Sequence, residues 1–312
     1  MCEGRLRDIS WFRATWQHGG AATGFSTWSC RTGREIDCVV KLPVNHAEYF
    51  WTKRLGLADP ENWDSEAQLA LPTPRVLAAG FELGGYDLAW IVIEKLQGPP
   101  LASDPNPTAV WEIFETAAEF HGAAIGVRSV RAEEAPPEPD WCAQIDEAIR
   151  AGEDNALEPL DRWRGVLSAA REHAPALARE WSEREINTWC HRDLHGRNAM
   201  RRMATGNASG RCVLIDLACV RPGHWVEDAL YLARLGWGQE DLLGGGEPVT
   251  ALARARSVNG LGDAGDEARL ADVRRVLMAA SSPAFMRTEG DPVYLARALE
   301  ILESRLPVLA GG

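Results

Sequence analysis

Three polar residues in the second half of the chain have the types and spacing of a phosphoryl-transfer site. Asp193 is followed five residues later by Asn198, and Asp216 ends a later apolar run. An aspartate beside an acceptor hydroxyl orients it and takes its proton, while asparagine and aspartate oxygens are hard ligands that suit magnesium. The pattern therefore predicts Asp193 as a catalytic base and Asn198 and Asp216 as Mg²⁺ ligands in a site that uses ATP.

The surrounding sequence supplies elements that would position these residues. Residues 199–203 and 212–217 have the pattern of two strands joined by a turn rich in small and polar residues. Such a hairpin would bring Asn198 close to Asp216. Asparagine and aspartate are each common in loops and turns, so the hairpin between them makes the pattern more specific than either residue alone.

One lysine stands out as chemically specified. Among 33 basic residues only Lys41, Lys53 and Lys95 are lysines, so arginine is the usual positive charge in this chain. Lys41 ends an apolar strand pattern, where an unpaired charge is costly and an ammonium could reach the α and β phosphates of ATP. Its acidic partner should lie on the next helix. Glu48 is the prediction and Glu66 is the alternative.

Two further segments would complete a nucleotide site. Gly19 and Gly20 lie in a turn rich in small residues, where backbone amides can approach phosphates. Residues 90–96 form an apolar run followed by Gln-Gly, which predicts a buried strand that leads into a hinge. The backbone at Glu94 and Leu96 would then hydrogen-bond an adenine edge. An ordinary hairpin turn and a plain buried strand are the alternatives for these segments.

The order of the remaining patterns predicts an α+β fold. Strand patterns occur at residues 13–16, 25–31, 36–42, 75–83 and 88–96, and a helix capped by Asn45 follows the third. Helical periodicity then dominates, with helices expected at residues 108–127, 141–150 and 159–185. We expect an N-terminal nucleotide-binding lobe, residues 1–97, with a five-stranded antiparallel sheet. A larger, mainly helical catalytic and substrate-binding lobe, residues 98–312, would follow.

From about residue 16 to residue 237 the chain resembles the aminoglycoside phosphotransferase and choline kinase-like family of protein kinase-like enzymes. The resemblance rests on the motifs above and on their order. It implies a bilobal protein kinase-like fold with ATP and magnesium in the cleft, Asp193 as the base, and Asn198 and Asp216 as metal ligands.

Departures from protein kinases indicate a small-molecule hydroxyl acceptor. His195 occupies a position where Ser/Thr protein kinases usually have lysine, and the segment after Asp216 is too short for a usual activation segment. Many antibiotic kinases have glycine where this chain has Arg192. Aminoglycosides and other antibiotics, sugars, amino alcohols and homoserine-like molecules therefore all remain open as acceptors.

The acceptor would be recognised by the helical part of the chain. Acidic residues there would suit a cationic acceptor, and tryptophan could stack on a sugar or a quaternary ammonium. Ordinary packing is the competing interpretation. The candidates are Asp140, Trp141, Asp146, Glu147, Glu227 and Glu240.

Composition argues against nucleic-acid-binding, membrane-spanning and secreted disulfide-rich classes of protein. A net charge of -12 disfavours nucleic acid as a partner, because phosphate binding needs a basic surface. No apolar run approaches the length of a membrane-spanning helix, and seven scattered cysteines are not the pattern of a secreted disulfide scaffold. We therefore expect a cytoplasmic protein with no membrane partner.

Two alternative functions are less favoured. A zinc site built from Cys190, His191, His195, Cys212 and Cys219 lacks any C-x-x-C pair, so these residues are better explained by packing. A catalytically weak nucleotide-binding regulator of the same fold should lack one of the essential side chains. All of them are present.

Overall fold

The computed structural model describes residues 2–12, 21–154, 157–202, 210–243, 247–262, 267–285 and 291–311. The strands are β1 (Ser10–Phe12), β2 (Ala22–Ser29), β3 (Glu35–Leu42), β4 (Val76–Gly80), β5 (Trp90–Glu94), β6 (Thr188–Cys190), β7 (Ala199–Arg202), β8 (Arg211–Leu214) and β9 (Arg221–Gly223). The helices are α1 (His46–Gly56), α2 (Glu66–Leu69), α3 (Pro107–Val127), α4 (Trp141–Asp154), α5 (Leu160–Ser182), α6 (Val226–Leu235), α7 (Pro248–Val258), α8 (Glu267–Phe285) and α9 (Pro292–Ala310). In the described part of the chain, five of the nine strands lie before residue 97 and seven of the nine helices lie after it, in agreement with the predicted α+β fold.

The chain forms two compact units, each assembled from two segments. The sheet unit comprises Met1–Val130 and Trp189–Arg221, and the helical unit comprises Arg131–Thr188 and Pro222–Gly312. The candidate catalytic hairpin therefore belongs to the same unit as the sheet. The division into lobes 1–97 and 98–312 remains a prediction.

The sheet unit is built on a five-stranded antiparallel sheet in the order β1-β2-β3-β5-β4. The prediction of five antiparallel strands is confirmed. The edge strand β1 covers Ser10–Phe12, whereas the strand predicted at residues 13–16 falls outside the described residues.

The two faces of the sheet have different environments because side chains alternate along a strand. Cys38 and Val40 of β3 point to a buried cluster shared with Trp28 and Val92. Lys41 is the residue after Val40 and is out of phase with both, so its side chain belongs to the opposite face. The register places Thr23 and Ile91 beside Lys41 on that face.

Helix α1 begins where the sequence predicted. The Asn45 side chain accepts a hydrogen bond from the Glu48 amide at 2.8 Å, which satisfies one of the free donors of the first turn. The start of α3 differs from expectation. The helix was expected to begin at residue 108, but Asn106 accepts from the Ala109 amide, and Pro107, which has no amide hydrogen to satisfy, begins the helix.

The helical unit packs α4, α5, α8 and α9 against one another. Its centre includes fully buried Trp163, Trp181 and Leu302. Arg184, whose side chain is 2% exposed, donates to Glu138 and Glu227 beside the Trp181 ring. No helix in the described part of the chain is long and apolar enough to cross a membrane.

Candidate active site

Lys41 pairs with Glu48 in the sheet unit. The Nζ atom of Lys41 donates to Oε1 of Glu48, and the two side chains are 19% and 7% exposed. Burial raises the pKa of the Glu48 carboxyl, and the Lys41 ammonium offsets part of that rise. The alternative partner, Glu66, is exposed on α2. The ion pair therefore fixes the lysine on the face of the sheet opposite the buried cluster.

Asp193 and Asn198 contact each other directly. The Nδ2 atom of Asn198 donates to the carboxylate Oδ2 of Asp193 at 2.8 Å and to its backbone oxygen at 3.0 Å. Asn198 is buried, and its own carbonyl accepts from the Ile215 amide at 2.9 Å, directly before the hairpin pair Ala199 and Leu214. The hairpin β7–β8 thus places Asn198 alongside the residue that precedes Asp216.

Asp216 lies beside the same groups. Its Oδ1 is 3.8 Å from Nζ of Lys41, and its side chain is 45% exposed. Burial and then the charges of Asp193 and Asp216 raise the pKa of the Cys219 thiol, so both carboxylates lie close to Cys219. The four residues Lys41, Asp193, Asn198 and Asp216 therefore gather in one unit.

The hinge segment is fixed by a buried ion cluster that the sequence did not reveal. The Glu94 carboxylate is 4% exposed and accepts from the backbone and guanidinium of Arg75 and from the guanidinium of Arg202. The Glu94 amide donates to the Arg75 carbonyl at 2.9 Å, whereas the Leu96 amide makes no hydrogen bond to a described residue. The Leu96 amide is therefore left available for another acceptor.

Sequence reasoning also missed an apolar surface on the Lys41 face. Phe12 and Phe25 stack with centroids 4.4 Å apart, yet they are 42% and 40% exposed. Val39 lies two residues before Lys41 on β3, and it pairs with Phe25 on β2 and with Ile93 on β5. Val39 and Ile93 are half-buried, and all three side chains belong to the Lys41 face. Because side chains alternate between the two faces of a strand, counting in steps of two from Lys41 and its neighbours could have predicted that Phe25, Val39 and Ile93 share its face.

The predicted phosphate-binding turn and the predicted hinge both remain predictions. Gly19 and Gly20 lie outside the described residues, so their role in phosphate binding remains a prediction. The hinge role of Glu94 and Leu96 likewise remains a prediction.

Most candidate acceptor residues of the helical unit have partners within that unit. Asp146 pairs with Arg171, Glu147 with Arg150, and Glu227 with Arg184. Trp141 is 5% exposed, and the Arg274 guanidinium lies 4.5 Å from its ring centroid. These contacts supply a packing reason for the residues, and a role in binding a cation remains a prediction.

Comparison with known proteins identifies the class. The family model described as the phosphotransferase enzyme family matches residues 63–273, more than half of the chain. The chain belongs to this phosphotransferase family. No curated protein sequence matches it.

Solved structures share the protein kinase-like fold. One is an aminoglycoside phosphotransferase from Alicyclobacillus acidocaldarius, with 16% identity and a TM-score of 0.54; the match covers 99% of this chain and 92% of that chain. Another is a spectinomycin phosphotransferase in complex with ADP and spectinomycin, with 12% identity and a TM-score of 0.52; the match covers 96% of this chain and 93% of that chain. The predicted fold class is confirmed.

Proposed function

We propose that the protein moves the γ-phosphate of ATP, with Mg²⁺, to a hydroxyl of a small molecule such as an aminoglycoside, a sugar or an amino alcohol. The observation that carries the proposal is the grouping of Lys41 and its partner Glu48 with Asp216, and of Asp193 with Asn198, in one unit. Each side chain supplies a different requirement of phosphoryl transfer.

The residues present fit a magnesium ion. Since Nδ2 of Asn198 is engaged with Asp193, its Oδ1 is the atom left to face a metal. The Asp216 carboxylate is the second hard oxygen donor, and it is partly exposed. Among the described residues no group of three or more His, Cys, Asp and Glu side chains forms a metal cage. Two ligands suit Mg²⁺, which keeps waters and phosphate oxygens around it.

The nucleotide and the acceptor would use different parts of the sheet unit. When bound, Mg²⁺ neutralises charge on the transferring phosphates. Lys41 is oriented by Glu48 to hold the α and β phosphates, and the exposed part of the stacked pair Phe12 and Phe25, beside the Lys95 ammonium, offers aromatic surface to the adenine ring. The Asp193 carboxylate orients the acceptor hydroxyl and accepts its proton as the new phosphate ester forms.

The alternative, a catalytically weak nucleotide-binding regulator, is disfavoured because every side chain required for transfer is present. It predicts that the protein binds ATP with Mg²⁺ yet consumes none with any acceptor. A cytoplasmic location also remains a prediction.

The proposal is tested by an ATP-consumption screen over aminoglycosides, macrolides, sugars and amino alcohols. Asp193→Ala should leave ATP binding within about twofold of the wild type but abolish transfer, because it removes the base without touching Lys41. Asp216→Ala should lose Mg²⁺-dependent binding of ATP as well. Wild-type activity in either variant would overturn the assignment.

A further inference from the structure

His195 lies between the backbone of the catalytic loop and the Asp193 carboxylate. Its Nδ1 accepts a hydrogen bond from the Arg197 amide at 3.1 Å, as the cap of a short 3-10 turn. Its Nε2 lies 3.3 Å from Oδ1 of Asp193. The imidazole is 20% exposed and the Asp193 carboxylate is 31% exposed. One side chain thus touches two parts of the loop at once.

These two contacts define the tautomer of His195. A neutral imidazole has one donor nitrogen and one acceptor nitrogen. Because Nδ1 accepts from a backbone amide, the proton of the neutral ring is on Nε2, and it points to Oδ1 of Asp193. The other carboxylate oxygen, Oδ2, accepts from Asn198. Each Asp193 oxygen therefore has its own donor.

Two donors determine how the carboxylate is turned. The terminal torsion of an aspartate is broad and weakly restrained by itself. A single donor on Oδ2 would leave the group free to swing about that contact, whereas a second donor on Oδ1 fixes the plane. Each oxygen keeps a further lone pair, so the carboxylate can still receive the proton of an acceptor hydroxyl.

We propose, on the basis of the function proposed above, that His195 is a positioning residue for the catalytic base. Its Nε2–H holds the Asp193 carboxylate in the orientation that meets the acceptor hydroxyl. Misplacing a catalytic group by about 1 Å costs on the order of 100-fold in rate. The effect belongs to the transfer step, and it should leave the affinity for ATP unchanged.

Two substitutions separate this role from a purely structural one. In His195→Asn, the side-chain oxygen can still accept from the Arg197 amide, but the donor from position 195 to Oδ1 of Asp193 is lost. In His195→Gln, an amide donor replaces Nε2–H, while the cap on the Arg197 amide is lost. If the contact to Asp193 matters, the glutamine variant keeps activity and the asparagine variant does not.

The experiment measures ADP formation from Mg²⁺-ATP by the full chain, with the best acceptor from the screen and with water alone. We expect kcat to fall about 10- to 100-fold in His195→Ala and His195→Asn. His195→Gln should recover to within about fivefold of the wild type. The KM for ATP should stay within about twofold in all three, and thermal melts should confirm that each variant is folded.

The outcomes distinguish the two proposals. A folded asparagine variant with wild-type kcat would overturn the positioning role, as would a glutamine variant as slow as the alanine variant. If the wild type forms no more ADP than Asp193→Ala under any condition, the proposed function itself fails. If the wild type is active and the His195 variants have the same kcat as the wild type, the proposed function is retained and only the positioning role of His195 is rejected.

Discussion

At the scale of single residues, the catalytic loop and the turn after β8 each contain a residue in left-handed backbone geometry. Arg192 precedes Asp193 with φ 64°, and Asp216 has φ 63°. This conformation is uncommon outside glycine and persists only where surrounding contacts hold it. The His191 contact to the Ile215 carbonyl at 3.1 Å and the Asn45 contact to the Ala218 carbonyl at 3.1 Å supply such restraint. The two bends direct Asp193 and Asp216 toward the shared site.

Phe25→Ala should weaken ATP binding. The ring is 40% exposed on the Lys41 face, where it stacks on Phe12 and its centroid lies 4.5 Å from the Lys95 ammonium, so its removal takes away aromatic surface proposed for adenine. Loss of about 1 to 2 kcal/mol of aromatic contact corresponds to a rise in Kd of about fivefold to thirtyfold. Isothermal titration calorimetry with Mg²⁺-ATP measures the change.

Phe81→Ala is the matched control for that measurement. Phe81 is 67% exposed and packs edge-on to Tyr49, away from β2 and β3. Its removal should leave the Kd for Mg²⁺-ATP unchanged. Equal Kd values for the wild type and Phe25→Ala would rule out the Phe12–Phe25 surface as the adenine site.

Short-range spacing explains which site residues could be predicted. Asp193 and Asn198 are five positions apart in one loop, and Glu48 follows its own cap Asn45 by three residues, so local rules place them. The contact between His195 and Asp193 could not be predicted, because it depends on side-chain rotation within the folded loop. Phe12 was missed because the edge strand was expected at residues 13–16.

At the scale of elements, Arg202 joins segments that are far apart in sequence. Its guanidinium donates to Glu94 at the end of β5 and to the carbonyls of Leu69, Leu71 and Thr73. Arg202 is 4% exposed, and it lies on β7, the first strand of the hairpin that places Asn198 and Asp216. The cluster therefore fixes the end of β5 against the β7–β8 hairpin.

Arg202→Met should strongly destabilise the sheet unit. Methionine leaves the buried Glu94 carboxylate with Arg75 alone and three backbone carbonyls without a donor. Breaking a buried ion pair on one side costs about 3 to 5 kcal/mol. Urea unfolding followed by fluorescence measures the loss.

Arg201→Met, one residue earlier, tests whether burial is the cause. Arg201 pairs with Glu112 through two hydrogen bonds, but the two side chains are 35% and 24% exposed. A partly exposed pair contributes about 0 to 1 kcal/mol. A loss in Arg202→Met no larger than in Arg201→Met would contradict the role given to the buried cluster.

Element types were predictable where local chemistry dominates. The helix capped by Asn45 and the strands around Lys41 follow from capping and alternation within about ten residues. The Arg75–Glu94–Arg202 cluster does not, since any of the many arginines could have matched a buried glutamate. Ion pairs between residues far apart in sequence depend on the assembled fold, so their partners cannot be predicted from one sequence.

At the scale of the whole molecule, each unit contains its own buried charged cluster. The sheet unit has Glu94 between Arg75 and Arg202, and the helical unit has Arg184 with Glu138 and Glu227. Glu227 also accepts from the His224 amide at 3.0 Å, so the second cluster borders a buried histidine. Stability should therefore depend on pH through His224, which lies in the helical unit.

His224 should make the protein less stable in mild acid. The ring is 6% exposed, its Nδ1 accepts from the Val226 amide, and burial lowers the pKa of His224 to about 4 from the ordinary value of 6.5. Between pH 4 and pH 6.5, His224 is protonated in the unfolded chain but neutral in the folded chain. The contribution is thus fully present above pH 6.5 and is lost as pH falls toward 4. The shift corresponds to about 3 kcal/mol of unfolding free energy.

His224→Asn isolates this contribution, because the asparagine oxygen can still accept from the Val226 amide but does not titrate. Urea unfolding from pH 7.5 to pH 4 should give a steeper loss of unfolding free energy for the wild type than for His224→Asn. Carboxylates contribute equally to both proteins, so they cancel in the difference. The difference should vanish above pH 7 apart from a constant offset. Parallel curves for the two proteins across this range would show that His224 is not buried in its neutral form.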